Sequence, residues 1–155
     1  MNKSKVEQYW KSFLATLPPD SAYHGRQYEA EGFGDNPALA DELGQLVLSG
    51  IKTGTCSSVW EYEFEGKPFP QADSVWIVLD GSGQPMCITE TTEITFRRYN
   101  EVDEEFARSE GEGDLSLQYW REAHKNFFSR TLPSVGREFV EDMPLVCERF
   151  KVIYK

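Results

Sequence analysis

The chain has 155 residues and a formal net charge of −10, from 16 Lys and Arg against 26 Asp and Glu. That balance opposes a nonspecific nucleic-acid binder, whose phosphate affinity comes mainly from clustered Lys and Arg, and leaves room only for a local basic cleft. Hydrophobic residues at 39% and aromatics at 14% describe a globular chain able to bury a core rather than a disordered one.

The opening segment MNKSKVEQYWKSFLATLPPD has neither an apolar run nor a small-residue cleavage site, which predicts no signal peptide and a cytoplasmic protein. Val6, Trp10, Phe13 and Leu14 recur at helical spacing until Leu17-Pro18-Pro19 ends the run, predicting a helix over 3–16. Tyr23 to Gly34 reads as irregular. Asp35-Asn36-Pro37 then starts a second helix, with Pro37 in the first turn, where its missing N–H costs nothing. Leu39, Leu43, Leu46 and Val47 supply its buried stripe, and Gly50 closes it.

Thr53 to Phe64 is expected to be one strand or two short ones. Ser74 to Leu79 is a stronger strand, and Asp80-Gly81-Ser82-Gly83 turns it into a partner over Pro85 to Phe96. Val102 to Glu110 reads as a short helix. Asp114 or Ser116 can cap a longer one, LSLQYWREAHKNFFSRTL, in which Leu117, Trp120, His124, Phe127 and Phe128 share a face. Leu145 to Tyr154, rich in Val, Phe, Ile and Tyr, is the final strand. Strands separated by helices around a central hairpin predict a single α+β domain over 1–155, built on a mainly antiparallel sheet or small barrel with helices outside. No stretch approaches the roughly 20 apolar residues of a membrane helix, so no membrane partner is expected.

Cys56, Cys87 and Cys147 are odd in number and widely spaced, which argues against both a disulfide framework and a zinc cluster. His24 and His124 are the two histidines, and their spacing supports no metal site. No metal ligands are therefore assigned. A hydrated Mg²⁺ or Mn²⁺ held by carboxylates is the cofactor that phosphodiester cleavage would call on.

The succession of a helix, SGIKTGT opening the strands, a hairpin, FARSEGEGDLSLQYWREAH and a closing strand resembles the ASCH family, whose fold looks like the PUA domain of RNA-modifying proteins. The resemblance covers the chain from about Phe33 onward and leaves a helical extension over about 1–32. It rests on Gly50-x-Lys52-x-x-Thr55 together with FAxxEGEGDxSLxxWRxxH. It implies a PUA-like barrel with a cleft at the signature lysine, and RNA or a modified nucleoside, rather than DNA, as partner. Similar proteins include a ribonuclease and a small amidohydrolase that deacylates N4-acetylcytidine. In the latter a lysine, a threonine three residues on and the glutamate closing an A-x-x-E segment are catalytic, and these fall on Lys52, Thr55 and Glu110. This chain departs from that hydrolase in its greater length, with extra helices at the N-terminus and after Gly113.

Physical reasoning on the same residues leaves two readings open. Lys52 and Thr55 have opposite strand parity, so a bulge at Gly54 is needed to aim both into one cleft. Without it, Lys52 is an ordinary lysine at a strand start. Glu110 follows Phe106 by four residues and Val102 by eight, which turns a carboxylate toward the apolar face of its helix, at the end where the helix dipole disfavours an anion. Lys52 is the candidate cation. A Glu–Lys pair flanking a hydroxyl suits acyl transfer, and it also serves as a structural salt bridge. Candidate substrate contacts are Ser57 and Ser58 in the same segment, Trp60 or Tyr28 as a base-stacking ring, Arg121 toward phosphate, and His124, although a histidine on an apolar stripe is more often a core residue.

Overall fold

A computed structural model describes residues 3–155. Met1 and Asn2, which belong to the predicted extension over 1–32, lie outside the described residues. The elements run α1 (Lys3–Ala15), β1 (Glu29–Glu31), α2 (Pro37–Leu48), β2 (Gly54–Ser58), α3 (Val59–Glu65), β3 (Val75–Leu79), β4 (Pro85–Arg98), α4 (Glu104–Glu110), α5 (Leu117–Thr131) and β5 (Pro144–Tyr154). The five strands lie in the order β1-β3-β4-β5-β2. The β3–β4 and β2–β5 pairs are antiparallel, and β1 runs parallel to β3. The architecture is mixed α+β and PUA-like, with a mainly antiparallel sheet.

The chain forms two compact units. One comprises the chain up to Gly50, Asp73–Glu90 and Lys151–Lys155. Its core joins Val6, Trp10 and Phe13 of α1 to Val75, Ile77, Leu79 and Ile88 of the hairpin. Tyr28 belongs here, its ring 4.8 Å from that of Trp10. The other unit, Ile51–Ala72 and Thr91–Phe150, gathers Phe106, Trp120, Phe128, Leu145 and Cys147 into a separate core. Every residue of the candidate site discussed below belongs to this second unit.

Two expectations change. The segment Thr53 to Phe64 is not all strand: β2 ends at Ser58, whose hydroxyl accepts the Trp60 N–H and opens α3. Tyr23 to Gly34 is not wholly irregular, since it holds a 3₁₀ turn at Ala22–Gly25 and the short β1. Capping of the longer helix falls to Ser116, which accepts from the Tyr119 N–H at 3.0 Å, while Asp114 accepts from the Ser116 N–H.

Helix α4 positions the site. Asp103 caps it through the Phe106 N–H at 2.9 Å, and Gly111 ends it at φ 73°. A Cβ at Gly111 would sit 2.7 Å from the Ile51 carbonyl oxygen, so only glycine lets the end of α4 lie against the backbone that leads into β2. The Thr53 N–H donates to the Ser109 carbonyl at 2.7 Å and ties the same two segments together. Gly111→Ala combines a left-handed backbone with this collision, so it is expected to cost about 1–3 kcal/mol, read as a lower denaturant midpoint at unchanged slope.

Candidate functional site

Lys52 is 2% exposed and Glu110 is 2% exposed, and together they form the centre of a buried polar cluster. The Lys52 ammonium donates to Glu110 Oε1 at 3.2 Å and to the Glu110 backbone carbonyl at 3.3 Å. Glu112 Oε2 lies 3.5 Å from the same ammonium. On its other side Glu110 Oε2 accepts the Trp120 indole N–H at 2.6 Å and faces His124 Nε2 at 3.3 Å. His124 Nδ1–H donates to the Trp120 carbonyl at 2.8 Å, and the two rings stack with centroids 4.2 Å apart. One carboxylate thus serves a cation on one oxygen and two ring N–H groups on the other.

The electrostatics follow from that crowding. Burial works against charge on Glu110, but His124, Lys52 and the Trp120 hydrogen bond outweigh it and hold the carboxyl down at about 2. Burial likewise opposes charge on His124, and Glu110 overcomes it, so the imidazole is held above its ordinary value. Glu112 is raised, mainly by burial, with Lys52 pulling the other way. Desolvation and the Glu110 charge push the Cys56 thiol well up.

Strand parity decides where Thr55 goes. The β2–β5 ladder runs without interruption from Gly54 opposite Arg149 to Ser58 opposite Leu145, so the bulge that would bring Thr55 round to Lys52 is absent from it. Gly54 has a different purpose: a Cβ there would collide with the Ser109 hydroxyl of α4. Lys52 and Cys56 therefore share the α4 side of the strand. Thr55 keeps the other face, opposite Glu148 in register. Glu148 is buried, accepts the Thr91 hydroxyl at 3.3 Å, and has its carboxyl pushed up to about 7, chiefly by burial.

The remaining candidates are spread out. Ser58 is fully buried and caps α3, while Ser57 is half-buried. Trp60 packs against the second core with the Arg137 guanidinium 4.6 Å over its ring. Arg121 is exposed and offers its backbone carbonyl to the Tyr99 hydroxyl. His124 joins the cluster directly. Sequence reasoning missed Glu112, Cys56, Trp120 and Glu148 as members of polar sites. The E-G-E spacing of Glu110 and Glu112 around a helix-ending glycine was the available signal for the first, and the Lys52–Cys56 parity for the second.

The profile of the ASCH domain matches residues 29–154. The chain belongs to the ASCH domain family. An ASCH domain structure from Lactobacillus crispatus is 37% identical, with a TM-score of 0.91 over 98% of this chain and 96% of that one. A protein from Enterococcus faecalis is 38% identical, with a TM-score of 0.89 over 99% and 90%. No curated protein sequence matches. Among the described residues no helix of this ASCH protein is long and apolar enough to cross a membrane.

Two tests follow from the geometry. Lys52→Met takes from the buried Glu110 carboxylate one of its two cationic partners and should cost about 3–5 kcal/mol by chemical denaturation. Lys52→Met combined with Glu110→Leu should recover a large part of that loss. Glu148 gives the opposite pH sign from a salt-bridged acid. Its folded pKa lies above the ordinary 4.5, so its contribution to stability is complete below pH 4.5 and is lost as pH rises through about 7. Glu148→Gln should flatten that decline in a series of urea midpoints against pH.

Proposed function

We propose that this ASCH protein binds RNA or a modified nucleotide in the cytoplasm and hydrolyses it. Ribonuclease action on single-stranded RNA is the leading chemistry, with amide hydrolysis of an N4-acetylcytidine-type nucleoside as the alternative. The ASCH family is generally RNA-binding, which supports the ligand class. The free thiols Cys56, Cys87 and Cys147 suit a reducing compartment. DNA is not expected as a partner.

The observation that carries the hydrolytic reading is the Lys52 ammonium held between Glu110 at 3.2 Å and Glu112 at 3.5 Å, with His124 on the far side of Glu110. A salt bridge joining helix to strand needs one acid and one base. Two further titratable groups converge here, and such clusters concentrate at sites that handle protons or developing charge. In this reading Lys52 stabilises the oxyanion that forms as the bond to be cleaved is attacked, and Glu110 holds Lys52 in place. Glu112, the more exposed carboxylate, takes the proton from the attacking water and returns it to the leaving group. Water is preferred to Thr55 as nucleophile because Thr55 occupies the Glu148 face of β2. Any Mg²⁺ or Mn²⁺ requirement belongs to the same proposal.

The noncatalytic RNA-binding module keeps a specific observation in its favour. The Lys52 and Glu110 side chains are only 1% and 2% exposed, against 20% for Glu112, so the ion pair itself is closed to a substrate in this structure. Incubating the purified protein with single-stranded RNA and, separately, with N4-acetylcytidine, with and without Mg²⁺ or Mn²⁺, separates the readings. The hydrolase reading expects turnover that Glu110→Gln, shown by circular dichroism to be folded, lowers about 100-fold. RNA binding without turnover in any condition leaves the binding module.

A further inference from the structure

The second unit contains one more constellation that neither the fold nor the hydrolytic reading uses in full. Cys56, Glu110 and His124 each offer a ligand atom, and these atoms all lie within 4.8 Å of one another. We propose that Cys56, Glu110 and His124 form a binding site for a borderline-soft divalent cation, Zn²⁺ in the first instance.

One of the three separations between ligand atoms already matches an occupied site. Zinc bonds of about 2.0–2.3 Å to nitrogen, oxygen and sulfur give tetrahedral edges of about 3.3–3.5 Å between ligand atoms. The His124 Nε2 to Glu110 Oε2 separation is already 3.3 Å, and the remaining edges need at most a modest side-chain adjustment from 4.8 Å. A solvent or substrate oxygen would complete the tetrahedron.

The surroundings are those of a metal ligand set. His124 donates its Nδ1–H to the Trp120 carbonyl, which leaves Nε2 as the coordinating nitrogen and fixes the ring, and stacking on Trp120 fixes it further. The Trp120 indole N–H bonds Glu110 Oε2 and orients the carboxylate from outside. Glu110 can bridge two cations, since Oε1 faces the Lys52 ammonium and Oε2 faces His124. Lys52 is the repulsive element of the site. A divalent ion together with that ammonium meets one thiolate and the carboxylates of Glu110 and Glu112, so the occupied cluster is neutral. The thiol proton of Cys56 and the Nε2 proton of His124 leave to solvent as the sulfur–metal and nitrogen–metal bonds form, and uptake therefore strengthens with pH.

The donor types choose the metal. A thiolate and an imidazole beside one carboxylate favour Zn²⁺ or Co²⁺, whereas Mg²⁺ and Mn²⁺ prefer oxygen alone. The site thus differs in chemistry from the carboxylate-held Mg²⁺ or Mn²⁺ that hydrolysis would call on, and metal uptake is read without any turnover.

The test is titration of the full chain, reduced and stripped of metal, with Co²⁺ followed by Zn²⁺ competition. The expected result is one equivalent of Co²⁺ with intense tetrahedral visible bands and a near-ultraviolet sulfur-to-cobalt band, displaced by Zn²⁺. Cys56→Ser should abolish the sulfur band and weaken uptake about 100-fold or more, a larger loss than removal of an outer-shell partner produces. His124→Gln should weaken uptake comparably and provides the second reading if Cys56→Ser does not fold. Cys87→Ser, in the other unit, should change nothing. A weak octahedral spectrum without a sulfur band overturns the proposal, as does a sulfur band that survives Cys56→Ser or an affinity that both ligand variants leave unchanged.

Discussion

The buried contact between Lys52 and Glu110 is the constraint around which the second unit is arranged. Removing an ammonium and a carboxylate from water costs several kcal/mol per ion, and the interior returns that only if geometry and remaining hydrogen bonds are good. Here the return comes from several directions. The ammonium reaches both the side chain and the backbone carbonyl of Glu110, and the carboxylate is closed by Trp120 and His124. Each of those partners is itself fixed by secondary structure: Glu110 at the end of α4, Trp120 and His124 one turn apart on α5, Lys52 just ahead of β2. The charge pair specifies how two helices meet one strand.

Local backbone chemistry supports the same arrangement. Gly111 turns the chain where any side chain would strike Ile51, and Gly54 makes room for Ser109. The Thr53 N–H and the Ser109 carbonyl close the remaining gap. These contacts explain why an acidic chain places one of its few lysines indoors: the position is enforced by packing on both sides, and the carboxylates then make it tolerable.

The two faces of β2 separate two kinds of chemistry. On the α4 face the polar groups are numerous and mutually satisfied, so Glu110 stays ionised. On the other, Thr55, Glu148 and Thr91 form a sparse row across neighbouring strands, and the carboxyl of Glu148, which accepts the Thr91 hydroxyl, is pushed toward neutrality by burial. The same residue type behaves oppositely on the two faces because one environment supplies cations to the carboxylate and the other is dominated by burial.

Period and punctuation in the sequence determined most of the elements. The apolar stripes of α1, α2 and α5, the hairpin around Asp80-Gly81-Ser82-Gly83 and the inward turn of Glu110 all follow from helical or strand spacing, which local sterics set directly. The strand expected over Thr53 to Phe64 failed for an equally local reason: Ser58-x-x-Glu61 is a helix-opening pattern, and it prevailed over the strand preference of Val, Trp, Tyr and Phe. What tertiary structure alone decided is which inward groups meet. Trp120 and His124 find Glu110 across the glycine-bearing loop from Gly111 to Ser116, and Cys56 finds it from β2, because the packing of helices on the strand sets those distances and no periodicity encodes them. It also decided that Thr55 faces Glu148: parity in the sequence offered two outcomes, and the unbroken pairing of β2 with β5 selected one.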